Sequence, residues 1–215
     1  MSSWYFPGCK YTSHNHGGAE KLKEYLSRRF GIVSLGCCSV DRDQSGAADA
    51  IVYQCPTCGL ILAESSRHSA LRSVYELLAE DKDFPWPNHS GRAFTLQDCW
   101  RVRENPAYLD GVRAVLARMG IHPAELPESR EKTDFCGATL YRVPSPRYET
   151  LAPVSLVRKA RFTPLPPAEQ QWRMEENARR YPTQEVLCYC TGCLEGIRMG
   201  GKTPVHILDL ITAAL

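Results

Sequence analysis

The sequence predicts an α/β protein of two pseudo-repeated Rossmann-like halves, with short parallel sheets and cysteine clusters at strand C-termini. Three observations predict it. Short apolar runs alternate with amphipathic stretches along the 215 residues, the pattern of strand–helix–strand units. Several of these runs stop at cysteine, most plainly Ala50-Ile-Val-Tyr-Gln-Cys55-Pro-Thr-Cys58 and Glu185-Val-Leu-Cys188-Tyr-Cys190-Thr-Gly-Cys193. The order strand-Cys, helix, strand-Cys, strand-Cys-x-x-Cys also occurs twice, which is an internal repeat. Open parallel sheets bind ligands beyond the carboxyl ends of their strands, and each cysteine cluster falls there.

Trp4 to Phe6 reads as a short strand closing on Pro7-Gly8-Cys9, followed by a polar loop from Lys10 to Gly18 that carries His14 and His16. Leu22, Tyr25, Leu26 and Phe30 share a helix face, and Gly31 is placed to cap it. Ile32 to Leu35 is a second strand, closing on Gly36-Cys37-Cys38. A polar, Asp-rich loop then leads to the strand that ends at Cys55. Leu71, Val74 and Leu78 mark a helix running to about Glu80.

The Pro- and Asp-rich run around Phe84-Pro85-Trp86-Pro87 breaks regular structure, giving expected halves of 1–83 and 93–215 joined by a linker at 84–92. In the second half, Ala93 to Gln97 is a strand closing on Asp98-Cys99. Leu109, Val112, Leu116 and Met119 form a helix face ended by Gly120. Thr133 to Phe135 is a strand-like turn closing on Cys136-Gly137. A Pro-rich insertion spans 143–168, and a polar helix from about Glu169 to Arg180 leads into the last cysteine-bearing strand. Pro204 to Ile211 reads as a closing helix containing His206.

Hydrophobic residues make up 43% of the chain and charged residues 23%, ordinary for a water-exposed globular domain. A net charge of +2 with scattered arginines gives no case for nucleic acid. No apolar run approaches the roughly 18 residues of a membrane span, and the N-terminus has no signal-peptide pattern. A cytoplasmic, reducing location is the expectation. Ten cysteines there point to metal or redox groups before structural disulfides.

The first half offers Cys9, Cys37, Cys38, Cys55 and Cys58, one thiolate more than a tetrahedral zinc site takes. Vicinal Cys37 and Cys38 point in different directions, so both can ligate only something larger than one ion. An iron–sulfur cluster meets that need; zinc on four of the five is the alternative. Cys55-Pro-Thr-Cys58-Gly59 alone also matches a zinc-ribbon knuckle, without accounting for Cys9, Cys37 or Cys38. The second half offers Cys99, Cys136, Cys190 and Cys193, which suit either a cubane cluster or zinc. Cys188 and Cys190, two apart on an extended segment, share a face, so Cys188 is either a fifth ligand or a core residue.

These cysteines carry a resemblance. Cys9, Cys37-Cys38 and Cys55-Pro-Thr-Cys58, then Cys99, Cys136-Gly137 and Cys190-Thr-Gly-Cys193, resemble the CCG cysteine-rich domain, which heterodisulfide reductase carries twice in one of its subunits. Pro204-Val-His-Ile-Leu-Asp-Leu resembles that family's closing stretch. The resemblance implies a non-cubane 4Fe-4S cluster on five cysteines of a complete motif and cleavage of a disulfide into two thiols. It also implies kinship with iron–sulfur subunits of lactate, glycolate and glycerol-3-phosphate dehydrogenases. The chain departs from the pattern in three places. Sixteen residues separate Cys38 from Cys55, a short interval, Ser39 replaces the eponymous glycine, and Phe135 stands where a first vicinal cysteine belongs.

Lys10, His14 and His16 are candidate proton donors to a departing thiolate, with a solvated loop as the plainer reading. His206 is expected to be structural, and Trp86 and Trp100 to be packing residues. No G-x-G-x-x-G, Walker lysine or ferredoxin-type cysteine run is present. Electrons would therefore come from a ferredoxin-like or flavoprotein partner, with a small thiol or disulfide as substrate. The expected functions are a disulfide-reducing or disulfide-forming iron–sulfur subunit with its reactive site in the first half, an electron-relay subunit, or a zinc-stabilised interaction module.

Overall fold

The computed structural model describes residues 3–43, 48–65 and 70–215; the middle of the polar loop before Cys55 lies outside them. The first half runs β1 (Ser3–Phe6), α1 (Cys9–His14), α2 (His16–Phe30), β2 (Val33–Ser34), α3 (Cys38–Asp41), β3 (Ala50–Tyr53), α4 (Pro56–Ser65), β4 (Ala70–Ser73) and α5 (Val74–Glu80). Its four parallel strands are ordered β2-β1-β3-β4, with Trp4 opposite both Val33 and Ile51. The second half runs β5 (Thr95–Leu96), α6 (Pro106–Arg118), β6 (Ala124–Glu125), α7 (Tyr148–Leu151), α8 (Pro167–Ala178), β7 (Glu185–Cys188), α9 (Thr191–Met199), β8 (Thr203–His206) and α10 (Ile207–Thr212). Its four parallel strands repeat the same order, β6-β5-β7-β8. The protein is thus α/β with two Rossmann-like halves.

Local chemistry explains the helix ends. Leu22 and Leu26 bury one face of α2, which stops where Gly31 turns left-handed at φ 66°, a conformation glycine adopts without a Cβ clash. Asn105 caps α6 by accepting the Tyr108 amide at 3.0 Å, and Pro106 occupies its first turn, where a missing N–H costs nothing.

Three expected elements differ. The polar loop at Lys10–Gly18 is largely helical, because Asn15 caps α2 through the Gly18 amide at 2.8 Å. The stretch around Leu71 is strand before it is helix: Ser73 and Glu76 form a capping box that starts α5 only at Val74. The closing helix begins at Ile207, since Thr203–His206 supplies the edge strand that β7 needs as a partner, and Pro204 is tolerated at an edge. In addition, Thr133–Phe135 joins no sheet. The outer neighbour of β5 is Ala124–Glu125, while Thr133 folds back to the Asp98 carbonyl at 3.1 Å.

Between Glu80 and Thr95 the chain has no regular element, yet the halves share one continuous core. Helix α5 packs on α6 so closely that a Cβ on Gly111 would lie 2.8 Å from the Glu76 amide nitrogen. Tyr75, Tyr108 and Tyr189 meet edge-on or tilted at 5.2 to 6.3 Å behind the cysteine-bearing strand ends. The Pro-rich insertion straps across to the first half, where the Val154 and Ser155 amides donate to the Glu64 carboxylate at 3.1 and 2.6 Å.

Candidate metal centre and its cavity

Cys99, Cys136, Cys190 and Cys193 are all buried, with sulfurs within 4.8 Å of one another. Three separate pieces of chain bring them there. Cys99 leaves β5 with its amide donating to the Tyr189 hydroxyl at 2.8 Å. That hydroxyl donates in turn to Asp98 at 3.0 Å, and Arg113 pairs with the same carboxylate at 2.7 Å. The Trp100 amide donates to the Phe135 carbonyl at 3.0 Å, which ties the Cys136 loop alongside. Cys190 caps α9 and Cys193 sits in its first turn. The Cys136 loop settles on α9 through glycines: a Cβ on Gly137, whose φ is 56°, would lie 2.1 Å from the Gly192 carbonyl.

The electrostatics fit a cation. Cys190 is held well below the ordinary thiol range because Cys136, Cys193 and Cys99 surround it as hydrogen-bond partners. Burial pushes Cys99 and Cys193 well up. Ionising all four thiols in this buried pocket needs positive charge. Metal ions supply that charge and displace the remaining protons. The Cys99–Cys136 and Cys136–Cys190 sulfurs are 3.6 and 3.8 Å apart. Four buried thiols so placed can hold a metal ion or an iron–sulfur cluster.

The five cysteines of the first half are arranged more loosely. Cys9 opens α1, Cys37 precedes α3, Cys38 begins it, Cys55 leaves β3 and Cys58 lies in the first turn of α4. Sulfur contacts run in a chain from Cys9 to Cys37, Cys38, Cys58 and Cys55. The Cys58 thiol brings Cys55 down to about 7, helped against burial by the Cys58 and Thr57 amides, as helix N-termini do for thiols. Burial raises Cys9, although its residue is exposed. All ten cysteines are free thiols.

A cavity of about 650 Å³ lies between the two groups. Cys9, Cys38, Cys55 and Cys58 wall one side, Cys190 with Thr191 and Gly192 another, and Tyr148 and Phe162 of the insertion roof it. Of the three candidate proton donors, Lys10 lines this cavity. His14 instead bonds Asp209 at 2.9 Å, and His16 starts α2 in solvent.

Cys188 stands apart from the four-sulfur group. It ends β7 opposite His206 and is fully buried; the chain leaves the strand at Tyr189, so the alternation that would align Cys188 with Cys190 is broken. His206 is structural: burial pushes it down to about 4, and its Nδ1 accepts the Leu208 amide at 3.3 Å. Trp100 is buried and Trp86 half-buried against the core.

Sequence reasoning missed Arg101. This residue is 5% exposed, and its guanidinium donates through Nη1 to the Cys136 sulfur. Burial disfavours its charge, but Cys136, Cys99 and Cys190 outweigh that and hold it protonated. The available signal was a basic residue two positions after a candidate ligand.

No family model matches the chain, and no curated protein does. Among solved structures it is similar to Picrophilus torridus aspartate racemase, at 13% identity over 99% of this chain and 91% of that one, with a TM-score of 0.35.

Proposed function

We propose that the chain is a redox subunit of the heterodisulfide reductase type, reducing or forming a small disulfide at an iron–sulfur cluster in the first half. The observation that carries this reading is the shared cavity, walled by cysteines of both halves. A disulfide entering it meets the first cysteine group directly, with the second group behind the opposite wall. Reduction to two thiols takes two electrons and two protons. The electrons would come from a ferredoxin-like or flavoprotein partner, and an iron–sulfur cluster would supply one-electron steps and an iron to which sulfur binds. Cys9, Cys37, Cys38, Cys55 and Cys58 would hold that cluster. Lys10, beside Cys9 at the cavity wall, would deliver a proton to a leaving thiolate.

A second reading has its own support. Zinc binds thiolate at about 2.3 Å in a tetrahedron, which sets sulfurs roughly 3.8 Å apart. The 3.6 and 3.8 Å separations in the second half match one such ion. A multi-iron cluster there would have to spread the four sulfurs. On this reading the second site is a structural zinc centre and the redox chemistry belongs to the first alone.

Protein purified without oxygen separates these readings. Iron with acid-labile sulfide, and a paramagnetic cluster signal on adding a disulfide to the reduced protein, is the expected result. One zinc beside one cluster assigns the second site to zinc. Zinc without sulfide, and no reaction with any disulfide, sinks the redox proposal and leaves a zinc-stabilised module. Cluster reduction with no disulfide response favours an electron relay of the dehydrogenase-subunit type.

A further inference from the structure

We propose that Arg101 is a positioning residue whose guanidinium is the built-in countercharge of the four-cysteine site and governs how tightly that site holds its metal. The inference rests on the metal-binding part of the function proposed above, and on neither choice of metal.

Four thiolates around a divalent ion leave a net charge of −2 in a dry pocket, and an uncompensated buried anion is costly. The structure places one positive charge against it. Arg101 follows Cys99 by two residues in a 3-10 turn at Trp100–Val102, and its Nη1 donates to the Cys136 sulfur. Its electrostatic partners are the thiols of Cys136, Cys99 and Cys190 and the phenol of Tyr148. A buried arginine is normally held by a carboxylate; here sulfur takes that place. Its Nε has no partner among the described residues, so the group is positioned by the sulfur contact, by the Tyr148 phenol and by packing. The Trp100 ring lies 5.2 Å from the guanidinium carbon.

Arg101 also lines the cavity in front of the first cysteine group, and Tyr148 of the insertion reaches it from the roof. The same guanidinium therefore touches the second site's ligand and the space a substrate would fill. Hydrogen bonds to ligand sulfur and local net charge are the protein's means of tuning such a centre.

The test compares wild type with Arg101→Lys and Arg101→Met, all loaded with metal and challenged with a chelator. Met keeps apolar bulk and removes the charge, whereas Lys keeps the charge. Arg101→Met should lose second-site metal about tenfold faster or more, the usual scale for a lost outer partner, and Arg101→Lys should recover most of the difference. If the centre is redox-active, its potential should fall in Arg101→Met and return towards wild type in Arg101→Lys. Circular dichroism and first-site metal content serve as controls for folding. Equal metal retention in wild type and Arg101→Met overturns the inference, as does equal loss in both variants, which would assign the effect to the shape and hydrogen bond of the guanidinium and not to its charge. A wild-type chain that binds no second-site metal even after reconstitution fails at an earlier step and overturns the metal reading itself.

Discussion

Cys188 and Cys190 are two residues apart and meet different fates. Cys188 ends a strand inside the core, whereas Cys190 begins a helix with its sulfur 3.8 Å from Cys136. That difference yields a direct prediction. Cys193→Ser should strip most metal from the second half, because the four-sulfur group loses one of its four donors. Cys188→Ser should leave metal content unchanged and cost only packing, about 1 kcal/mol for a small buried side chain. Metal counted per chain in the two variants checks this; parallel loss in both would make Cys188 a ligand. On the proposed disulfide-redox reading, Cys37→Ser should leave four thiolates and bound iron in the first half but abolish reaction with disulfides. Unchanged spectra and chemistry in that variant would remove Cys37 from the ligand set.

Among elements, two contacts join the halves around the cysteines. Helix α10 carries Asp209, which accepts from Asn15 at 2.7 Å and from the Tyr11 hydroxyl at 3.1 Å and bonds His14 at 2.9 Å. It thereby tethers the helix that begins at Cys9. Burial pushes the Asp209 carboxyl up, but Asn15 and His14 outweigh that and hold it below the usual range. Its folded value lies under its unfolded one, near 4. The tether's contribution is therefore complete above about pH 4 and is lost as pH falls through the folded value. Asp209→Asn should lower stability at neutral pH by about 1 kcal/mol and flatten the acid limb of the profile. Urea titrations across pH test it, and an unchanged acid limb would count against the tether.

The second contact is Gly111 against α5. Alanine would improve helix propensity by about 1 kcal/mol. Yet its Cβ would fall 2.8 Å from the Glu76 nitrogen and 3.2 Å from the Glu76 Cα, and backbone cannot yield as a flexible side chain does. Overpacking of this kind costs about 1–3 kcal/mol, so Gly111→Ala should be net destabilising in chemical denaturation. A gain in stability would show that α5 and α6 are less closely packed.

For the molecule as a whole, the core runs through both halves without a break and draws its apolar side chains from the strands and helices of each. On the proposed reading in which both cysteine groups hold metal, its removal should therefore loosen the loops around Cys37–Cys38 and Cys136 more than the strands or α2 and α6. Binding energy enters where ligands converge, and local opening is cheapest where apolar contacts are few. Hydrogen exchange on metal-loaded and metal-free protein measures this. Global unfolding on metal removal would place the cysteine sites in control of the fold.

The sequence alone determined the fold class, the repeat and the cysteine pairs at the ends of β3 and β7, since apolar runs and close cysteine spacing are local signals. Gly31 and Gly120 were legible as helix ends for the same reason; both have positive φ. What the tertiary structure decided involves partners far apart in sequence. Thr203–His206 is strand because β7 lies beside it, and Ala70–Ser73 because β3 does. Cys188 stands outside the four-sulfur group because β7 ends at it and the chain bends at Tyr189 before reaching Cys190. Arg101 drew its meaning from a sulfur 35 residues away, and the cavity exists because an insertion from one half roofs cysteines of the other. Spacing along the chain encodes which side chains share a face. Which faces then meet is set by tertiary packing, within the second half for Arg101 and its sulfur and between the halves for the cavity.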